Sequence, residues 1–159
     1  MNAPFRMAAA EAPAYWFDRS LWLVLSTPEA TAGTHATFDV TIAPGAGAAA
    51  HAHAGQDEVF YVLSGDARFT VGEVTLPAAP GDLLHVPRGL VHAFTVDEAA
   101  PLRVLNYYTP GGFEPFVLNV GTPATERSLP PPDLAAPDPD LVGRWAEAVG
   151  LRMEPGTIE

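Results

Sequence analysis

The sequence predicts an all-β sandwich or barrel that ends in one short helix. Short β-rich runs fill residues 15–109 and are broken by turn signals at intervals of about eight to twelve residues, the spacing of sandwiches and barrels. Some runs alternate cleanly: Ala36, Phe38, Val40 and Ile42 share one face and Thr37, Asp39 and Thr41 the other, as a half-buried antiparallel strand requires. After Tyr108 the pattern changes, because Pro110-Gly111-Gly112 interrupts it and five prolines crowd the stretch 129–139.

The elements follow in order. Residues 1–14 read as an N-terminal arm, in which Ala8, Ala9 and Ala10 between Arg6 and Glu11 are too few for the apolar core of a signal peptide. Residues 15–109 read as the β domain, with strands expected over Ser20–Ser26, His35–Ala43, Glu58–Leu63, Ala67–Val71, Glu73–Pro77, Asp82–Val86, Val91–Val96 and Leu102–Tyr108. Ser64-Gly65-Asp66 forms a hairpin turn and Ala79-Pro80-Gly81-Asp82 a tight turn. Leu21 to Leu25 are almost continuously apolar, which marks a strand buried on both faces. It lies either inside the monomer or, as we expect, at a homodimer interface, since small sandwiches have open sheet edges. Residues 110–159 read as a proline-rich wrapping segment and a terminal helix. In that helix Leu141, Val142, Trp145, Ala148 and Val149 recur at helical spacing between Asp138 and Gly150, and Trp145 is read as a packing residue.

Composition narrows the chemistry. The 159 residues carry 19 acidic against 8 basic side chains, a formal charge of −11, and every basic residue is arginine. An acidic surface with no basic stripe repels phosphate backbones and anionic lipids, so neither nucleic acid nor membrane is an expected partner. Without lysine there is no Schiff base, and without cysteine no disulfide, zinc finger, iron–sulfur cluster or thiol nucleophile. A cytoplasmic protein acting on a small molecule is the expectation.

The histidines supply the chemistry. In an extended strand, residues two apart point to one side, so His51 and His53 deliver two imidazoles to the same place. Glu58 opens the next run on the face of Phe60 and Val62, and His92 enters with Phe94 and Val96. Titratable groups among inward apolar residues need a partner, and a divalent cation would serve all four at once. The competing reading makes them hydrogen-bonded core histidines or surface histidines on a polar edge.

The spacing around these residues resembles a known family. Gly45, His51-Ala52-His53, Glu58 and Gly65 stand at the positions of the first cupin motif, and Gly81, Pro87-Arg88-Gly89 and His92 at those of the second. Val96 departs from the usual Asn, which is not a metal ligand in that family, so the departure touches a local hydrogen bond only. The resemblance implies a cupin-type double-stranded β-helix, a jelly-roll barrel, with one divalent metal (Fe, Ni, Mn, Co or Zn) held by His51, His53, Glu58 and His92. More narrowly, the segments 57–65 and 86–94, followed by Thr109-Pro110-Gly111-Gly112-Phe113-Glu114, look like bacterial single-domain quercetin-dioxygenase-like cupins.

That resemblance implies a dioxygenase acting on a flavonol-like or other enolisable aromatic molecule, with Glu58 as both ligand and catalytic base. Alternatives are an isomerase or cyclase that uses the metal as a Lewis acid without oxygen, and a metal-dependent binding protein that catalyses nothing. Phe38, Phe60, Phe94, Asn106 and Tyr108 fall on faces expected to point inward and are taken as substrate contacts, although such residues also fill ordinary barrels. His85 is placed either behind the ligand set as a supporting group or in a structural role, and His35 is expected at the surface.

Overall fold

The computed structural model describes residues 3–154. Two antiparallel sheets face each other. The larger joins β1 (Ala14–Phe17), β2 (Ser20–Ser26), β3 (Ala36–Ile42), β5 (Asp57–Ser64), β8 (Leu83–Val86), β10 (Leu102–Thr109) and β11 (Thr122–Pro123) in the order β11-β1-β2-β3-β10-β5-β8. The smaller joins β4 (Gly47–His53), β6 (Ala67–Val71), β7 (Val74–Ala78), β9 (His92–Val96) and β12 (Leu151–Met153) in the order β12-β4-β9-β6-β7. Three helices complete it: α1 (Pro28–Thr31), α2 (Glu114–Val120) and α3 (Pro139–Val149). This is the all-β jelly roll the sequence predicts.

The core lies between the sheets. Ala36, Phe38, Val40 and Ile42 turn inward and are buried, as their alternation requires, and Phe60, Val62, Phe69, Val96 and Val104 meet them. Val96, at the position that departs from the cupin motif, is simply part of this core. Asp39 on the opposite face of β3 is also buried, because Arg103 from β10 closes over it with bonds of 2.9 and 2.6 Å. Gly47 is required where β4 crosses β9: a Cβ there would lie 1.9 Å from the Phe94 carbonyl oxygen.

The terminal helix stands close to where it was expected, between an Asp138 cap that accepts from the Asp140 amide and the left-handed Gly150. Its buried positions are Ala146 and Val149, while Ala148 is exposed. Trp145 packs against the core as a half-buried residue. β4 was harder to foresee as a full strand, since Gly-Ala-Ala-Ala-His-Ala-His has poor β propensity and is held extended by pairing with β9 and β12. α2 escapes notice because it is seven residues long and starts Glu-Pro.

One expectation needs correction. Ser20–Leu25 is buried, but not by a second subunit. Its outward residues Leu21 and Leu23 join Ala12 and Trp16 in a satellite cluster that Ala9, Ala14, Ala124 and Leu134 complete. The N-terminal arm and the proline-rich segment thus cover β2 within the chain. Arg127 fastens the arm through bonds of 2.9 and 2.7 Å to the carbonyls of Ala9 and Ala12.

Candidate metal centre

Three strands deliver four side chains to one point. His51 and His53 come from β4, Glu58 from β5 and His92 from β9, with ligand atoms all within 4.8 Å of one another. Register explains the convergence: His51 pairs with His92 across β4 and β9, while Glu58, second in β5 on the facing sheet, stands opposite Tyr108. His53, Glu58 and His92 are each about 2% exposed and His51 is half-buried.

The turn before His92 is pinned from two sides. Gly89 stands at φ 77°, a left-handed conformation that suits glycine, and its amide donates to the His53 carbonyl at 2.8 Å. The Arg88 amide and Nε donate to Asp57 Oδ1 at 3.0 and 2.8 Å. Those bonds hold the Asp57 carboxyl down at about 2 and tie β5 to the turn. Asp57 is a supporting residue that motif spacing did not single out, although it directly precedes Glu58.

Hydrogen bonds fix two of the rings. His51 Nδ1 lies 2.7 Å from the Ala49 carbonyl and His92 Nδ1 3.0 Å from that of Leu90. A carbonyl only accepts, so each Nδ1 carries the proton and each Nε2 faces the cluster. His53 differs, because neither of its buried ring nitrogens has a hydrogen-bond partner, although Nε2 approaches Glu58 Oε2 to 3.2 Å. A buried imidazole lone pair beside a carboxylate and two other imidazoles is satisfied by a cation. By this test the four residues fit a divalent metal of nitrogen and oxygen preference.

Glu58 divides its oxygens. Oε2 faces His92 Nε2 at 2.9 Å and His53, while Oε1 accepts from Tyr108 Oη at 2.6 Å and Asn106 Nδ2 at 3.0 Å. Burial alone would raise this carboxyl, but contact with and attraction to His53 and His92 outweigh burial and hold it well below its ordinary value. Burial, the His92 charge and smaller effects depress His51 to about 4. Burial would also lower His92, yet Glu58 outweighs it and raises the ring. Tyr108 is pushed well above its ordinary value by burial and then by the Glu58 charge, so it stays a neutral donor.

A cupin domain model matches residues 38–108, a span that contains all four of these side chains. The chain carries a cupin domain over those residues. It is 32% identical over 80 residues to quercetin 2,3-dioxygenase of Bacillus subtilis, a stretch that is 50% of this chain and 23% of that protein. It is 44% identical over 55 residues to an uncharacterised protein of Streptomyces coelicolor, 35% of this chain and 51% of the other. The matches thus span about half or less of these curated relatives. Among solved structures, KdgF from Halomonas sp. superposes with a TM-score of 0.60 at 17% identity, covering 69% of this chain and 94% of its own. The polyketide cyclase RemF from Streptomyces resistomycificus gives 0.58 at 18%, covering 67% and 80%. At such identities the likeness is one of fold.

Two of the four residues, His51 and Glu58, line a cavity of about 290 Å³. His51, Glu58 and Asn106 supply polar groups at the inner end, and Asp18, Arg19 and Ser20 line it as well. Most of the wall is aromatic or aliphatic: Trp22, Phe60, Phe94, Tyr108 and Phe113 among others. A larger depression of about 680 Å³ lies against the proline-rich segment, but it contains none of the four ligand residues, so the chemistry belongs to the smaller one.

The structure sorts the residues the sequence offered. Phe60, Phe94, Asn106 and Tyr108 line the cavity, with Asn106 and Tyr108 also gripping Glu58. Phe38 does not line it: it is fully buried behind the wall, edge-on to Trp22 and Tyr108 at 5.4 and 5.9 Å. His85 is not behind the ligand set either, since β8 turns Leu84 and Val86 inward and leaves His85 exposed on the outer face. His35 is half-buried and not fully exposed, stacked on Tyr107 at 4.9 Å.

Sequence reasoning missed Trp22 and Phe113 as wall residues. Trp22 could have been found from its parity with inward Val24 in β2. Phe113 follows the Pro-Gly-Gly break, which reads as an exit from the fold, yet its ring stacks on Tyr108 at 4.4 Å and stands edge-on to His53 at 4.9 Å.

Proposed function

We propose that this cupin is a metal-dependent enzyme acting on a small aromatic molecule with an acidic hydroxyl, with dioxygenation of quercetinase type as the leading reading. The observation that carries the proposal is the cavity itself, an aromatic-walled space of about 290 Å³ that ends on His51 and Glu58 of the four-residue set. His51, His53, Glu58 and His92 would hold one divalent ion. When bound, that ion would supply a Lewis-acidic position for a substrate oxygen and, if redox-active, an electron path to dioxygen.

The chain's own residues set the remaining requirements. Phe60, Phe94, Trp22 and Phe113 offer faces and edges to a flat ligand and exclude water from the inner end. Tyr108 and Asn106 immobilise Glu58 through Oε1, leaving Oε2 toward the reacting end. Glu58 is the acceptor for a substrate hydroxyl proton there. A carboxylate accepts most readily from a hydroxyl that is itself acidic, an enol or a phenol. That preference supports a flavonol-like or other enolisable aromatic substrate.

Oxygen uptake with quercetin, measured on protein reconstituted separately with Fe, Ni, Mn, Co and Zn, tests the reading. Uptake with at least one redox-active metal is expected, and none with any metal would overturn the dioxygenase. The same Glu58 and apolar wall also favour a second reading, an isomerase or cyclase that consumes no oxygen, which anaerobic turnover would reveal. In Glu58→Gln either enzyme loses turnover, whereas a non-catalytic binding protein keeps its ligand.

Among the described residues no helix is long and apolar enough to cross a membrane, and we retain a cytoplasmic location as part of the proposal. We also retain the homodimer but move its interface. Tyr61, Leu63 and Leu83 are exposed together on the outer face of β5 and the edge strand β8, where none of the described residues covers them as the N-terminal arm covers β2.

A further inference from the structure

Two of the three histidine rings are held from behind, and the third is not. His51 and His92 each give their Nδ1 proton to a backbone carbonyl two residues earlier in the chain. His53 is 2% exposed, and its Nδ1 is buried with no partner. A buried donor left unpaired costs about 1–3 kcal/mol. It also leaves the ring no reason to keep its proton on Nδ1 and its lone pair on the nitrogen that faces Glu58.

Three residues later stands the complementary orphan. Gln56 is 8% exposed, and its Oε1 is buried without a donor. The chain bends at Ala54 and Gly55 between the two residues. The two neighbouring residues Gly112 and Phe113 lie beside them. A Cβ on Gly112 would lie 3.1 Å from Gln56 Nε2, and the neighbouring Phe113 ring stands edge-on to His53 at 4.9 Å. Gln56 is absent from the cavity wall, so contact with substrate does not account for it.

We propose that Gln56 is the positioning residue of His53, its amide oxygen taking up the Nδ1 proton through one shared ordered water and thereby aiming Nε2 into the ligand set. A buried water needs at least two polar partners, and this pair provides an unpaired donor and an unpaired acceptor. The Gly112-Phe113 turn seals the place from solvent. The inference rests on the metal reading of the four residues, and it explains what the Pro-Gly-Gly-Phe segment does there, which is to close the back of the site.

The experiment compares wild type, Gln56→Leu and Gln56→Glu. Nitrogen-15 NMR of the metal-free proteins reads the His53 tautomer, and competition with a chromophoric chelator reads Zn²⁺ affinity. Wild type should keep a proton on His53 Nδ1. Gln56→Leu should let that proton pass to Nε2, where Glu58 Oε2 stands at 3.2 Å, and weaken Zn²⁺ about 10–100-fold, the usual cost of losing such a partner. Gln56→Glu keeps an acceptor of the same reach and should restore both readings. A Leu variant matching wild type in both measurements overturns the inference, as does a Glu variant no better than Leu, which would mark Gln56 as packing only. Should wild type fail to bind Zn²⁺ or any other first-row ion, the metal reading falls, while the tautomer comparison still decides whether Gln56 orients His53.

Discussion

Replacing Tyr108 by Phe isolates a single hydroxyl at the centre of the site. The ring would keep its stack on Phe113 at 4.4 Å and its edge contact with His53 at 5.1 Å, so only the 2.6 Å bond to Glu58 Oε1 is lost. A hydrogen bond to a charged group contributes about 1.5–3 kcal/mol. Asn106 still donates to the same oxygen at 3.0 Å, which puts the expected loss near the lower figure. For a chain of this size each kcal/mol lowers Tm by about 2–4 °C, so metal-free Tyr108→Phe should melt about 3–6 °C below wild type at pH 7. The effect has a sign in pH. Because the folded Glu58 sits below its unfolded value, the stabilisation is present above the unfolded carboxyl pKa and disappears as pH falls through the folded one. Loosening the carboxylate should also weaken Zn²⁺ about 10–100-fold in chelator competition. Calorimetry on both proteins from pH 8 downward, with the metal titration, tests the chain of reasoning. Equal Tm and equal Zn²⁺ affinity at pH 7 would refute it and reduce Tyr108 to a wall residue.

Other outcomes follow from the same geometry. Folded His51 takes a proton only near pH 4 whereas the unfolded ring takes one near 6.5, so its contribution to stability is full above pH 6.5 and is lost as pH falls toward 4. Metal-free His51→Asn should accordingly show a flatter decline in Tm across that window than wild type, as scanning calorimetry would measure. Ala146 is buried on α3 and lines the cavity; Ala146→Phe should reduce affinity for a flat aromatic ligand such as quercetin at least tenfold in a fluorescence titration while leaving Zn²⁺ affinity within about twofold. Leu83 is 64% exposed on the edge strand, and Leu83→Glu should turn the proposed homodimer into a monomer, as light scattering at micromolar concentration would detect.

What could be read from the sequence divides along physical lines. Periodicity fixes facing wherever a strand has one wet side, so Ala36 to Ile42 could be oriented from residue types alone, and the two-residue spacing of His51 and His53 placed both rings on one side of a strand. Those signals are local. Coverage is not, because what lies over Leu21 and Leu23 depends on where the arm and the proline-rich segment return, and no pattern within residues 20–25 records that. His85 failed for a related reason: alternation says that it shares a side with Leu83, but only the pairing of Val86 with Glu58 and of His85 with Val59 says which side is inside. Phe38 had the right facing and the wrong depth, since inward residues divide between those that reach the cavity and those, like Phe38, that Trp22 and Tyr108 screen from it.

The residues outside the domain match complete the site. Within residues 38–108 the two sheets supply the four ligand side chains and half of the wall. The rest of the wall comes from Phe17, Asp18, Arg19, Ser20, Trp22, Phe113, Phe116, Val142, Ala146, Leu151 and Met153, which belong to β1, the turn after it, β2, α2, α3, β12 and the turn before α2. β12 pairs residue by residue with the strand that carries the histidines, Leu151 opposite His53 and Met153 opposite His51, so the C-terminal segment is hydrogen-bonded to the ligand strand itself. The four-residue set thus lies wholly within the matched domain, while the wall is shared between that domain and the segments outside it. A cupin can keep its metal chemistry while changing what fits beside it, because substitutions in α3 and β12 alter the wall without touching a ligand atom. The fold can be shared by enzymes of different chemistry, so the substrate has to be sought as much in the wall residues outside the matched domain as in those within it.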